Sequence, residues 1–203
     1  MPSRRGILTG APFLLLAACS SESPKQTKEP EKPAEPVGAQ YAFHQVFLQG
    51  RTWAQDLQFL RMRDILLNDV KPEGGKRAAR EVTVVSPSKG KSRTYSYSVV
   101  REGNIHEGVF AGLEEDYRGP QGQATPWPVQ AFKIDSVKAY EIAVERSADI
   151  IKKNPDIPVT FLLEQTSRHP FLTWRVIWGT SVATSGYSVI VNATTGEFVE
   201  KMR

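Results

Sequence analysis

The residues able to do chemistry are few and scattered along this chain. Histidine occurs three times, at His44, His106 and His169, and cysteine occurs once, at Cys19. No His-Glu-x-x-His sequence is present, and a single cysteine supplies neither a disulfide partner nor a second zinc-binding thiolate. The Gly-x-Ser-x-Gly pattern of serine hydrolases is incomplete around Ser181. The sequence therefore predicts no catalytic residue, no metal site and no cofactor.

The single cysteine lies where an apolar segment turns abruptly polar. Residues 1–5, MPSRR, form a basic start, and residues 7–18 are mostly apolar. The apolar segment has about 12 residues, whereas a membrane-spanning helix needs roughly 20. A basic start, a short apolar core and small residues at its end are typical of an export signal. An ordinary secretory signal with an incidental cysteine is the alternative interpretation.

The end of this segment, LAAC at residues 16–19, resembles the lipobox of bacterial lipoproteins. In that family the cysteine sulfur receives a diacylglycerol, and the signal peptide is cleaved before it, here between Ala18 and Cys19. The resemblance implies that residues 1–18 are removed and that Cys19 carries acyl chains such as palmitate. Each buried methylene contributes about 0.8 kcal/mol to membrane affinity, so two or three chains give durable anchoring.

The resemblance also implies a location. A lipidated Cys19 places the protein in the bacterial cell envelope, anchored on the extracytoplasmic side, and at the outer membrane if the bacterium is Gram-negative. The paired arginines Arg4 and Arg5 match a twin-arginine export signal loosely, and the general secretory route is an equally good interpretation.

Residues 19–40 are predicted to be the acylated cysteine followed by a disordered tether. This segment is rich in proline, glutamate and lysine and has almost nothing to bury. At about 3.1 Å per residue, an extended tether of this length holds a domain up to roughly 60 Å from the membrane.

The charge balance argues against a nucleic-acid partner. Without Arg4 and Arg5, the count of basic residues falls from 26 to 24, against 22 acidic residues. No dense basic cluster is interleaved with aromatic residues, as it would be in a nucleic-acid-binding surface.

Two segments of the remaining chain have helical periodicity. The first, residues 52–68, opens with Thr52 and Gln55 at the spacing of a capping box. The second, residues 135–154, is capped by Asp135 or Ser136 and carries apolar residues on one face.

Strands are predicted after each helix, at residues 81–86, 93–100, 105–110, 159–164, 171–178, 187–192 and 197–201. The order of helix followed by strands occurs twice, which predicts an α+β fold of two tandem units. Each unit is an antiparallel sheet packed on one helix. The units span residues 41–117 and 130–203, and residues 118–129, rich in glycine, proline and glutamine, are predicted to link them.

The C-terminal half ends in a strand followed by a characteristic turn. Residues 187–199 read YSVIVNATTGEFV. This ending resembles that of the PepSY domain family, whose members often end in a strand and then Asp-Ala-x-Thr-Gly-Glu-Val; here Asn192 stands at the aspartate position. The resemblance covers roughly residues 130–203, and the first half is similar only in outline. PepSY domains occur in propeptides of secreted metallopeptidases and in envelope proteins. The resemblance implies a non-catalytic module that binds, inhibits or modulates a partner.

Some of the tryptophans are predicted to lie in the core and one is predicted to lie at the surface. Trp174 and Trp178 are four residues apart and share one face of a strand, which predicts core packing against the second helix; a stacking platform is the alternative. Trp127 lies between two prolines in the predicted linker and is the candidate residue for contact with a partner.

Together these features predict a lipid-anchored binding module of the cell envelope that is not an enzyme. It would engage a protein or peptide partner, such as a peptidase, through an exposed sheet edge. Two alternatives are open: a structural lipoprotein of envelope assembly, and an envelope hydrolase with a site built from residues distant in sequence.

Overall fold

The computed structural model describes residues 33–120 and 124–202, and from Pro33 onward the chain forms one compact unit. The helices of the described residues are α1 (Ala39–Trp53), α2 (Ser136–Glu145) and α3 (Ala148–Lys153), with a 3-10 helix at Val129–Ala131. The strands are β1 (Gln58–Ile65), β2 (Ala79–Ser86), β3 (Lys91–Ser98), β4 (Gly108–Asp116), β5 (Ala124–Thr125), β6 (Val159–Thr166), β7 (Thr173–Trp178), β8 (Tyr187–Asn192) and β9 (Phe198–Met202).

All nine described strands belong to one antiparallel sheet. Their order is β4-β3-β2-β1-β6-β7-β8-β9, and β5 lies beside β6. Strands β1 and β6 meet at the centre, where residues 61–63 of β1 pair with residues 162–164 of β6. The predicted α+β class, with antiparallel strands and a few helices, is confirmed, but the predicted two tandem units, each with a sheet of its own, are not. The two halves of the described chain are joined through this central pair, so they share one sheet.

The helices cover one face of the sheet and form a single large core with it. Because side chains alternate along a strand, every second residue of β2, β6, β7 and β8 points into this core. Trp174 and Trp178 are both buried there, as predicted. The indole N–H of Trp174 donates to the carbonyl of Ile134, 2.8 Å away, just before α2.

The first predicted helix, residues 52–68, is wrong. The helix lies earlier, at Ala39–Trp53, and Gln58–Ile65 is the strand β1. Thr52 and Gln55 end α1 instead of starting a helix, because their side chains donate to the carbonyls of Gln49 and Arg51. In β1, Phe59 and Met62 point into the core while Arg61 and Arg63 do not, which is the alternation of a strand around a bulge.

The second predicted helix begins as expected and is interrupted before its predicted end. The Asp135 carboxylate accepts the backbone N–H of Ser136 at 2.6 Å and caps α2. The same oxygen accepts the N–H of Gln40 at 3.1 Å, so Asp135 also serves α1, which has no side-chain cap of its own. The helix breaks at Ser147, whose hydroxyl donates to the carbonyl of Ala143 and competes with the helical hydrogen bonds.

The prediction of a linker at residues 118–129 is wrong for its second half. Strand β5 pairs with the end of β6. Trp127 then exchanges two backbone hydrogen bonds with Phe59, at 2.7 and 3.0 Å. This segment fills the space where β1 and β6 diverge beyond their short central pairing, so it is part of the sheet.

Within the described residues, no helix combines the length and the apolar character needed to cross a membrane.

Candidate functional site

A groove lies on the face of the sheet that the helices leave uncovered, and we call it the sheet groove. Its volume is about 670 Å³. The central strands β1, β2, β6 and β7 form its floor, and loops after β3 and β7 form its walls. One part of the lining is charged and consists of Arg61, Arg63, Glu81 and Glu164; the other part is mostly apolar and includes Ile65, Ile105, Leu162, Ile177, Val182 and Ala183.

The four charged residues form two cross-strand ion pairs. Arg61 Nε lies 3.0 Å from Glu164 Oε2, and Arg63 Nη2 lies 2.9 Å from Glu81 Oε1. Each arginine stands directly opposite its glutamate in the sheet register. Both pairs are partly exposed, so each contributes at most about 1 kcal/mol to stability and opens at little cost. Two positive and two negative side chains thus present a balanced pattern of charge on the groove floor.

The carboxylate of Glu102 holds in place the loop that carries Ile105, one wall of the groove. Glu102 lies in the same loop and accepts the backbone N–H groups of Asp69 and Asn68 at 2.9–3.0 Å. These hydrogen bonds hold the pKa of Glu102 below its ordinary value. The backbone of Glu102 and Ile105 also exchanges two hydrogen bonds, which closes the loop tightly. Ile105 is therefore held over the groove by contacts outside it.

The opposite wall is the loop between β7 and β8. It contributes residues 180–183 to the groove, and its Val182 side chain is exposed. The carbonyl of Gly179 at its start accepts the hydroxyl of Thr160 at 2.9 Å, which ties the loop to β6. Gly179 has φ of +147°, a conformation that side-chain-bearing residues rarely adopt.

Beneath the groove, on the helix side of β1, lies a buried ion cluster of Asp64, Arg77 and Arg80. The Asp64 side chain is 1% exposed and contacts Arg77 Nε at 3.0 Å and Arg80 Nε at 3.2 Å. Asp64 also accepts the backbone N–H of Phe161 in β6 at 3.0 Å. Burial raises the pKa of Asp64, while the charges of Arg80 and Arg77 act in the opposite direction.

The two arginines of this cluster extend it to the surrounding loops and helices. Arg80 donates to the carbonyls of Val37 and Gly75 and to the hydroxyl of Ser136, which begins α2. Arg77 donates to the carbonyl of Val159 in β6, and its guanidinium lies 4.7 Å from the centre of the Phe161 ring. The buried ion cluster therefore connects both halves at the strand pair that forms the groove floor.

The residues predicted from the sequence lie apart from this groove. Ala18 and Cys19 are outside the described residues. Trp127, predicted as a partner contact, is fully buried, and that prediction is wrong. Its ring lies 5.2 Å from Phe59 and 5.9 Å from Phe43, and its N–H donates to the carbonyl of Leu60 at 3.3 Å.

The three histidines stand at separate places. His44 is exposed on α1, His106 stacks on Phe110 with ring centres 4.5 Å apart, and His169 Nε2 lies 2.8 Å from Glu200 Oε1. Among the described residues, no group of three or more histidine, cysteine, aspartate or glutamate side chains is arranged to hold a metal ion.

The sequence does not reveal the groove residues, because its apolar spacing predicts a helix over residues 61 and 63. The signal was present in Arg61-Met62-Arg63, where charged residues flank a large apolar one with the period of a strand. Glu164 lies 103 positions from Arg61, and pairing over that separation follows only from the sheet order.

Comparison with known proteins identifies no family for this chain. No protein-family model matches the chain, and no curated protein matches its sequence. A crystal structure at 1.85 Å of a candidate lipoprotein from Clostridium difficile 630 matches with a TM-score of 0.43 and 9% identity. The match covers 85% of this chain and 95% of that one. A TM-score this low does not establish a common fold, so nothing about this chain is inferred from it.

Proposed function

We propose that the protein is a lipid-anchored binding module of the bacterial cell envelope, which engages a protein or peptide partner without catalysing a reaction. The observation that carries the proposal is the sheet groove, a partly open site with paired charges beside an apolar wall. The lipobox-like residues 16–19 supply the anchor, and the proline-rich residues that follow supply the tether. The prediction that the tether extends to residue 40 is wrong, because Val37 pairs with Arg77 and α1 begins at Ala39. The PepSY-like ending of the chain makes a peptidase the first class of partner to test.

The composition of the groove favours a polypeptide segment. Its volume of about 670 Å³ suits a few residues of an extended chain. A segment with side chains of both charges can exchange partners with Arg63 and Glu81, because an exposed pair is weak and opens readily. Once the partner excludes water, the new charge-assisted hydrogen bonds become stronger than the exposed ones they replace.

The apolar side of the groove gives such a segment a place for one anchoring side chain. Leu162 and Ile177 are buried in the floor, and Val182 lines the groove from the loop after β7. An apolar side chain lodged there gains roughly 25 cal/mol per Å² of surface removed from water. The combination of one apolar contact with flanking charges provides both affinity and selectivity.

The groove is tested by placing a photocrosslinking amino acid at Val182 in living cells. We expect irradiation to yield a discrete adduct of the protein with one partner, recovered with the membrane. The matched control is the same amino acid at Lys138, which is exposed on α2 on the other face of the sheet. Equal adducts at both positions, or none at either, would contradict binding in the groove.

The identity of the captured partner decides between the interpretations. A secreted or membrane peptidase supports a regulatory module, and the purified pair can then be assayed for inhibition. A component of envelope assembly supports the structural alternative.

The anchor is tested by Cys19→Ser. We expect the wild-type protein in the membrane fraction and the variant in the soluble fraction, because the variant cannot receive a diacylglycerol on sulfur. The fold begins after the tether, so circular dichroism of the two proteins should agree. Retention of Cys19→Ser in the membrane would show that the chain is held there in another way.

A further inference from the structure

The arginines are the more exposed members of both ion pairs on the groove floor. The side chain of Arg61 is 43% exposed, against 18% for its partner Glu164. The side chain of Arg63 is 59% exposed, against 27% for its partner Glu81. A molecule that enters the groove therefore meets guanidinium groups before carboxylates, although the formal charges of the four residues cancel. The accessible charge of the floor is positive.

Arg61 has hydrogen-bond donors left over for a ligand. Its Nε donates to Glu164 at 3.0 Å, whereas its two terminal nitrogens find no acceptor among the residues that the structure describes. An arginine presents five N–H groups in a planar fork, and a carboxylate binds two of them in parallel. Arg61 can therefore bind a second carboxylate while it keeps the pair with Glu164.

The charges around the two pairs add to the positive side. Arg175 of β7 stands opposite Leu162 in the sheet register, and its Nε donates to the hydroxyl of Ser188 at 3.0 Å. Within the described part of the chain, Arg175 forms no ion pair. The Asp64 carboxylate beneath the floor is 1% exposed and is shared by two buried arginines, so it does not offset these charges.

The apolar residues of the groove lie at one end of this row of arginines. Ile65 follows Arg63 by two residues on the same strand and also lines the groove. Ile177 lies level with it, since Ile177 pairs with Thr160, two residues from the Leu162 that pairs with Arg63. Positions 61, 63 and 65 therefore present charge, charge and apolar surface in steps of about 7 Å, because side chains on one face of a strand are two residues apart.

We propose that the occupant of the sheet groove is an extended segment of a partner protein with acidic side chains at two alternate positions and an apolar side chain at the next alternate position. An extended segment has the same step of about 7 Å, so it stays in register with β1. Arg61 contacts β6 and Arg63 contacts β2, so a segment centred over β1 reaches both guanidinium groups. This inference rests on the proposed function and names the chemistry of the partner.

The probe is a fluorescein-labelled peptide with the core Glu-Thr-Glu-Thr-Leu, titrated with the full-length protein in a neutral detergent and followed by fluorescence anisotropy. One control peptide has lysine in place of both glutamates. The other, Glu-Thr-Glu-Leu-Thr, keeps the composition but turns the leucine to the opposite face of the extended chain. We expect the probe to bind at least about tenfold more tightly than either control, because each control loses the charged or the apolar contact.

The contribution of Arg61 is measured with Arg61→Gln. We expect this variant to bind the probe at least about tenfold more weakly, because it loses the charge-assisted hydrogen bonds to a carboxylate. The matched control is Arg51→Gln, which removes an exposed arginine from α1 on the other face of the sheet and should leave the affinity unchanged. Circular dichroism checks that both variants are folded.

Three results would overturn the proposal: equal binding of the acidic and basic peptides, equal binding of the two leucine positions, or full affinity in Arg61→Gln. Photocrosslinking from Val182 then separates this failure from that of the proposed function. If Val182 still captures one partner, the groove binds a segment of different chemistry and the proposed function stands. If Val182 captures nothing, both fail.

Discussion

Replacing Asp64 by alanine is expected to destabilise the protein by about 3–5 kcal/mol, because it leaves two buried arginines without their shared counter-charge. Arg77 and Arg80 are 4% and 1% exposed, and both contact the Asp64 carboxylate. The same substitution removes the acceptor for the N–H of Phe161, which lies in the other half of the sheet. Urea denaturation followed by tryptophan fluorescence measures the loss.

The matched control for Asp64→Ala is Glu81→Ala. Glu81 also pairs with an arginine across β1 and β2, but this pair is partly exposed and solvent screens it. Its removal should therefore cost no more than about 1 kcal/mol. Equal losses for the two variants would mean that Asp64 is not the centre of a buried cluster and that the two halves are not held together there.

Replacing Trp127 by alanine is expected to cost a similar amount, about 3–5 kcal/mol, because it opens a large cavity in the core. The indole is fully buried against Phe43, Phe59 and Phe132. It also provides the N–H that the carbonyl of Leu60 accepts. The stability of Trp127→Phe should lie between those of the alanine variant and the wild type, because phenylalanine refills part of the cavity.

Leu66→Ala is the control for Trp127→Ala, since Leu66 is half exposed and its removal leaves no cavity. Its free energy of unfolding should stay within about 0.5 kcal/mol of the wild type. If Trp127→Ala were as stable as Leu66→Ala, the segment 124–127 would not belong to the core. Trp127 would then again be a candidate for contact with a partner.

The C-terminal half could be predicted in detail because its signals are local. Strand β8 has the predicted bounds, Tyr187–Asn192, and Gly196 has φ of +80° in the turn where the sequence requires glycine. Asp135 caps α2 through a contact with the next residue. Each of these features depends on residues a few positions apart.

The N-terminal half was mispredicted where local and tertiary signals conflict. Trp53, Leu57 and Leu60 have helical spacing, but β1 is a strand because β2 and β6 pair with it on both sides. The bulge between Phe59 and Arg61 also breaks the strict alternation that would have identified the strand. Helix α1 was not predicted, because it directly follows the proline-rich segment and was not distinguished from it.

The sheet groove and the buried ion cluster could not be predicted, because both depend on contacts distant in sequence. Asp64 and Phe161 are 97 positions apart, and Arg80 and Ser136 are 56 apart. Trp127 was misassigned for the same reason: two flanking prolines suggest a loop, and only its pairing with Phe59 places it inside.

The most direct test of the central claim exchanges the charges of one groove pair. Arg63→Glu combined with Glu81→Arg keeps an ion pair between the same strands, so stability and membrane anchoring should be unchanged. The pattern of charge offered to a partner is reversed at both positions. Photocrosslinking from Val182 should then fall to the level of the Lys138 control. Undiminished capture of the same partner by the exchanged variant would contradict recognition through the groove.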